Sequence, residues 1–135
     1  MATIYRLRDD VREIRQAQDA TARGGDYGLF FSHGLFGSSE WWERFDRGEI
    51  EVHTDTGVIS EVYTAGHNDW PEFRMRRPDG TESTWPQMML DATSDNGYRE
   101  GLSVEVDYVL QRRQLRGRPR PETKCIVEVR IGTSA

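Results

Sequence analysis

Two runs near the C-terminus constrain the fold more than anything else in the chain. Leu102, Val104, Val106, Tyr108 and Leu110 occupy every second position of one run, and Cys125, Val127, Val129 and Ile131 do so in the other. A period of two places such residues on one face of an extended chain, so the runs predict a long antiparallel hairpin with all nine side chains turned inward. Arg116–Glu122, with Pro119 and Pro121, is too proline-rich for regular structure and reads as an exposed loop at the hairpin tip.

The rest of the chain has to supply partner strands and a covering layer. Thr3–Arg8 fits an extended segment with Tyr5 and Leu7 on one side, and Ile4, Leu7, Val11 and Ile14 also fit a helical stripe. From Asp10 a helix is predicted: Glu13 three residues on completes a capping box, Val11, Ile14 and Ala17 form a stripe, and Gly24-Gly25 is a stop signal. Gly28–His33 is apolar enough for a buried strand. It leads into a Gly34–Ser38 turn in which glycine would let the backbone approach a neighbour closely. Ser38 or Ser39 can cap a short helix over Glu40–Asp46 ended by Gly48, and on it Trp41, Trp42 and Phe45 share one side.

Strands are expected thereafter. Glu49–Thr54, with Ile50 and Val52 inward, and Val58–Thr64 would form a hairpin about an Asp55-Thr56-Gly57 turn. Gly66–Pro71 reads as a loop. Phe73 and Met75 face inward from the next strand, Pro78-Asp79-Gly80 turns the chain, Thr81–Trp85 pairs back, and Gln87–Asp91 has room for one helical turn. The expected architecture is α+β: one compact domain over residues 1–135, with a mainly antiparallel, curled or barrel-like sheet backed by an N-terminal helix and one short helix. At 135 residues, such a domain buries roughly two-thirds of its unfolded surface without a disulfide or metal. Cys125, alone of its kind, reads as a small core residue.

Function has fewer signals. Met1 opens no charged-then-apolar leader and no run of about 18 apolar residues follows, so a cytoplasmic location is expected, with no membrane partner. His33-Gly34-Leu35-Phe36-Gly37-Ser38-Ser39 resembles the oxyanion loop of α/β-hydrolases. That resemblance implies backbone N–H groups placed for a tetrahedral anion, and it requires a G-x-S-x-G elbow as well. The nearest spacing, Gly97-Tyr98-Arg99-Glu100-Gly101, lacks the serine. Glu51, His53 and Asp55 at alternate positions would share a strand face, the arrangement of a divalent metal site and equally of a solvated strand face. The solvated face is favoured, and neither metal nor cofactor is expected. His67 and Asp69, beside Trp70, are the residue types of a general base and its carboxylate, without an identifiable nucleophile.

Charge is the remaining clue. The net charge of −5 argues against nucleic acid, yet Arg112–Lys124 alone carries six basic residues and one acidic, while Glu40–Asp55 carries six acidic and two basic. The reading that follows is a small non-catalytic binding module of inhibitor or immunity-like character, meeting another protein that presents an acidic surface. Its candidate contact residues are Trp41, Trp42, His67, Asp69, Trp70, Arg113, Arg116, Arg118 and Arg120. Two alternatives stay open: a pocket lined by Trp and Arg for a small anionic or nucleotide-like molecule, and a small enzyme using His33 or His67.

Overall fold

A computed structural model describes residues 1–22, 35–66, 70–90, 97–112 and 122–132. Its elements are β1 (Ala2–Arg6), a 3-10 turn (Leu7–Asp9), α1 (Val11–Ala22), α2 (Ser39–Asp46), β2 (His53–Ala65), β3 (Trp70–Arg76), β4 (Glu82–Pro86), β5 (Ser103–Arg112) and β6 (Glu122–Gly132). The six strands form one open antiparallel sheet in the order β1-β6-β5-β2-β3-β4, so the fold is α+β with β1 and β4 at the edges. The packing divides the chain into two compact units. The first is Met1–Arg6, Thr54–Asp107 and Glu128–Ala135; the second is Leu7–His53 and Tyr108–Val127.

The first unit holds most of the sheet. Tyr5, Ile59, Phe73, Met75, Trp85, Val104, Val106 and Val129 are all buried, and the ring of Tyr98 stacks on that of Phe73 at 5.1 Å. The turn signal at Pro78-Asp79-Gly80 is realised. Gly80 adopts φ 89°, its N–H donates to the Arg77 carbonyl at 2.9 Å, and Asp79 Oδ1 accepts from the Thr81 N–H and hydroxyl.

The second unit contains both helices. Asp10 caps α1 by accepting from the Glu13 N–H at 3.2 Å, and Ser38 caps α2 by accepting from the Trp41 N–H at 3.2 Å, as their spacing predicts. Gly48 follows α2 at φ 78°, its N–H donating to the Phe45 carbonyl. The close approach expected of the Gly34–Ser38 turn is seen at Gly37: at φ 74°, a Cβ there would collide with Ile14 on α1, and Gln18 Nε2 donates to the Phe36 carbonyl at 3.0 Å. The expected strand at Gly28–His33 and helix stop at Gly24-Gly25 lie outside the described residues.

Four expectations are corrected. No hairpin forms at Asp55-Thr56-Gly57, because β2 runs unbroken through it. Gly57 is needed there for a different reason: a Cβ would fall inside the contact distance of the Arg76 backbone on β3. The residues before His53 are not a strand, and of the pair expected inward Ile50 is buried and Val52 exposed. Residues 87–90 make no helical turn. Gln87 instead continues alongside β3, its N–H donating to the Pro71 carbonyl at 3.0 Å and its amide to the Glu72 carbonyl at 2.8 Å. Finally, β5 does not keep one phase. Val104 and Val106 are buried, but beyond Asp107 the buried positions are Val109 and Gln111, which leaves Leu110 36% exposed. In β6 both Ile126 and Val127 are buried, so strict alternation fails in both strands of the hairpin.

Candidate functional site

The aromatic group expected on α2 is built around Trp41. Its ring lies 4.9 Å from Phe36, 4.7 Å from Trp42 and 5.6 Å from Phe45. Helical spacing brings Trp41 over Phe45 and Trp42 beside it, as i,i+4 and i,i+3 neighbours do. Trp41 is 0% exposed, and its indole N–H has no hydrogen-bond partner among the described residues. A partner meeting this conformation therefore cannot touch it. Trp42 is half-buried, and the Arg8 guanidinium lies 4.4 Å from its ring centre while pairing with Asp46 Oδ1 at 2.6 Å. Of the aromatic pair, only Trp42 offers a partner any surface, and Arg8 already covers part of that.

Trp70 is different. It opens β3 opposite Ala65 of β2 and is 60% exposed. The other candidate residues, His67, Asp69, Arg113, Arg116, Arg118 and Arg120, lie outside the described residues, as does His33. At the base of the Arg-rich stretch, Lys124 sits 5.3 Å from the Tyr108 ring, on which the His53 ring also stacks at 5.3 Å.

The metal-like trio Glu51, His53 and Asp55 is not a cluster. His53 Nε2 is 3.9 Å from Glu51, but Asp55 is buried and fully engaged in the sheet. It accepts from Arg77 Nε at 2.7 Å and Nη2 at 3.1 Å, from the Ser83 hydroxyl at 2.8 Å and from Trp85 Nε1 at 2.9 Å. Burial raises its pKa, but these donors outweigh that and hold it below the usual value, so Asp55 is an anion that ties β2 to β4 and to Arg77 just beyond β3. Among the described residues no group of three or more His, Cys, Asp or Glu is arranged to hold a metal ion. Burial, with Glu13 nearby, pushes the Cys125 thiol up to about 12, which removes thiolate chemistry near neutral pH.

What sequence reasoning missed is the other side of the sheet in the first unit. In register, Glu61 faces Arg74, Tyr63 faces Glu72, Val58 faces Arg76, and Arg76 faces Glu82. These side chains alternate with the buried ones, so they share the opposite face. Arg74 pairs with Glu61, sits 3.5 Å from Glu82 and reaches over the Tyr63 ring at 5.6 Å, and the Tyr63 hydroxyl donates to Glu72 at 3.1 Å. Farther across, Arg130 on β6 donates to both oxygens of Asp107 on β5, at 2.7 and 2.9 Å. It also pairs with Glu128 and lies 3.7 Å from Glu105, while Thr54 on β2 donates to Asp107 at 2.7 Å. Burial would raise the Asp107 pKa, but the bonds from Arg130 and Thr54 prevail and lower it, so the carboxylate stays charged. The signal was present in the polar alternates Ser103, Glu105 and Asp107, and Glu128 and Arg130, but their cross-strand pairing is not visible in one dimension.

Chemically, this face presents fixed charges and a few exposed apolar groups, which suits recognition of a surface. Among the described residues, no helix is long and apolar enough to cross a membrane. A family model described as "Immunity protein RhsI2" matches residues 1–132 of this chain. No curated protein matches it. The match covers all but the last three residues, and it agrees with the sequence reading of a small module of immunity-like character that acts by contact with another protein. The chain belongs to the RhsI2 immunity protein family.

Proposed function

We propose that this chain binds a protein toxin and neutralises it by occupying a surface the toxin needs. The observation that carries this reading is the family match over residues 1–132, which takes in every described element. The contact is electrostatically guided. Arg112–Lys124 holds six basic residues and one acidic, and side chains of like charge gathered in one stretch are best explained by an anionic surface that meets them. In this reading Arg113, Arg116, Arg118 and Arg120 face an acidic patch of the toxin.

Co-expression with toxin domains of the same genome tests the reading. The chain should restore growth against one toxin and elute with it as a single complex. Replacing Arg116, Arg118 and Arg120 by Gln should leave the melting temperature nearly unchanged and weaken that complex in a salt-dependent way. Growth restored by none of the toxins, or a complex indifferent to the three arginines, would count against the toxin and the acidic-patch parts respectively.

A further inference from the structure

The charge of the chain is divided more sharply than its total suggests. The net charge is −5 and Arg112–Lys124 contributes +5, so the remaining residues carry −10. Part of that excess lies on the open face of the sheet in the first unit. There six carboxylates stand among four guanidiniums, and three of those carboxylates, Glu105, Asp107 and Glu128, are grouped with two guanidiniums, Arg130 and Arg6.

Three features make this face suited to docking. Antiparallel sheets commonly leave one face to water, and here, among the described residues, that face is polar, with Val58 41% and Trp70 60% exposed. Its charged side chains are already held in ion pairs across neighbouring strands, so little conformational freedom is left to lose when a partner arrives. Trp70, Tyr63 and Arg74 lie together on β2 and β3, and Trp, Tyr and Arg are the residue types that most often dominate binding energy at interfaces. Ala65 opposite Trp70 is too small to cover the indole.

We infer that the open face of the β-sheet is the surface on which the toxin docks, with Trp70 as its anchor, and that the toxin presents a basic surface to it. This rests on the toxin-binding reading above and adds the place and the chemistry.

The test uses the purified toxin domain against which the full chain restores growth. Val58→Arg and Val58→Glu are similar in reach and opposite in charge. The account expects the arginine variant to weaken the complex by about tenfold or more and the glutamate variant to remain within about threefold of the parent. Trp70→Ala should weaken it by about tenfold or more, and oxidative footprinting should show Trp70 protected in the complex. Equal losses from both Val58 variants would overturn the basic chemistry, because only bulk would then matter. Parent-like binding by all three variants would overturn the site while leaving toxin binding intact. A parent chain that sediments as a dimer and becomes monomeric on Val58→Arg would assign the face to a second copy instead. If the parent chain binds no toxin, this inference falls together with the functional reading.

Discussion

Trp41 and Trp70 are the same side chain used in opposite ways. Trp41, on α2, is wholly buried among Phe36, Trp42 and Phe45, whereas Trp70, at the start of β3, leaves most of its ring in water beside Ala65. A ring packed on all sides stabilises the fold and has nothing left to offer a partner. A ring held on a strand but uncovered contributes little to folding and is available for contact. The difference separates two regions: a helical one in which the Trp41 ring is spent on packing, and a sheet face on which the Trp70 ring is left exposed.

The largest effect expected from breaking this contrast is at Trp41. Trp41→Ala should destabilise the fold by about 3–5 kcal/mol, seen as a large drop in the urea midpoint. A midpoint near that of the parent would mean that the ring cluster is not a core.

Asp55 comes next. Asp55→Ala leaves the Arg77 guanidinium and the Trp85 indole N–H without their carboxylate, and a loss of about 2–4 kcal/mol is expected by the same measurement. The pH dependence should agree in sign. Asp55 and Asp107 both have folded pKa values below the unfolded one, so each contributes stability that is complete above about pH 4 and lost as pH falls through the folded values. Glu13 runs the other way, because burial and Asp10 raise its pKa and acid relieves that strain. With Asp79 lowered as well, by its bonds from Thr81, three lowered carboxylates against one raised among the described residues predict a net fall in melting temperature below about pH 4, and a flat profile there would contradict the assigned hydrogen bonds.

Local chemistry made part of this legible in advance. The Asp10 and Ser38 caps, the Asp79-Gly80 turn and the Trp41–Phe45 group follow from residues within four positions of one another. Errors arose where a residue serves a distant neighbour. Asp55-Thr56-Gly57 has the composition of a turn, but its aspartate is bound to Arg77, Ser83 and Trp85, and its glycine makes room for the Arg76 backbone. The alternation carried on through Tyr108 points Leu110 inward, whereas the buried positions change phase there to Val109 and Gln111. The open sheet face was hidden for the same reason: Arg130 and Asp107 are 23 residues apart, and only the pairing of β5 with β6 brings them together. The loop expected over Gly66–Pro71 stops short of its predicted end, because Trp70 and Pro71 pair with Ala65 and Thr64 as the start of β3, and the exposure of Trp70 is what the structure adds.

The smallest expected effect on stability is at Trp70, and it bears most directly on the division between the two regions. The deciding measurement is a paired one on Trp70→Ala: chemical denaturation of the free chain and calorimetric titration against the toxin domain from which it protects. The account predicts an unfolding free energy within about 0.5 kcal/mol of the parent together with a loss of affinity of about tenfold or more. A large loss of stability, or unchanged affinity, would contradict it.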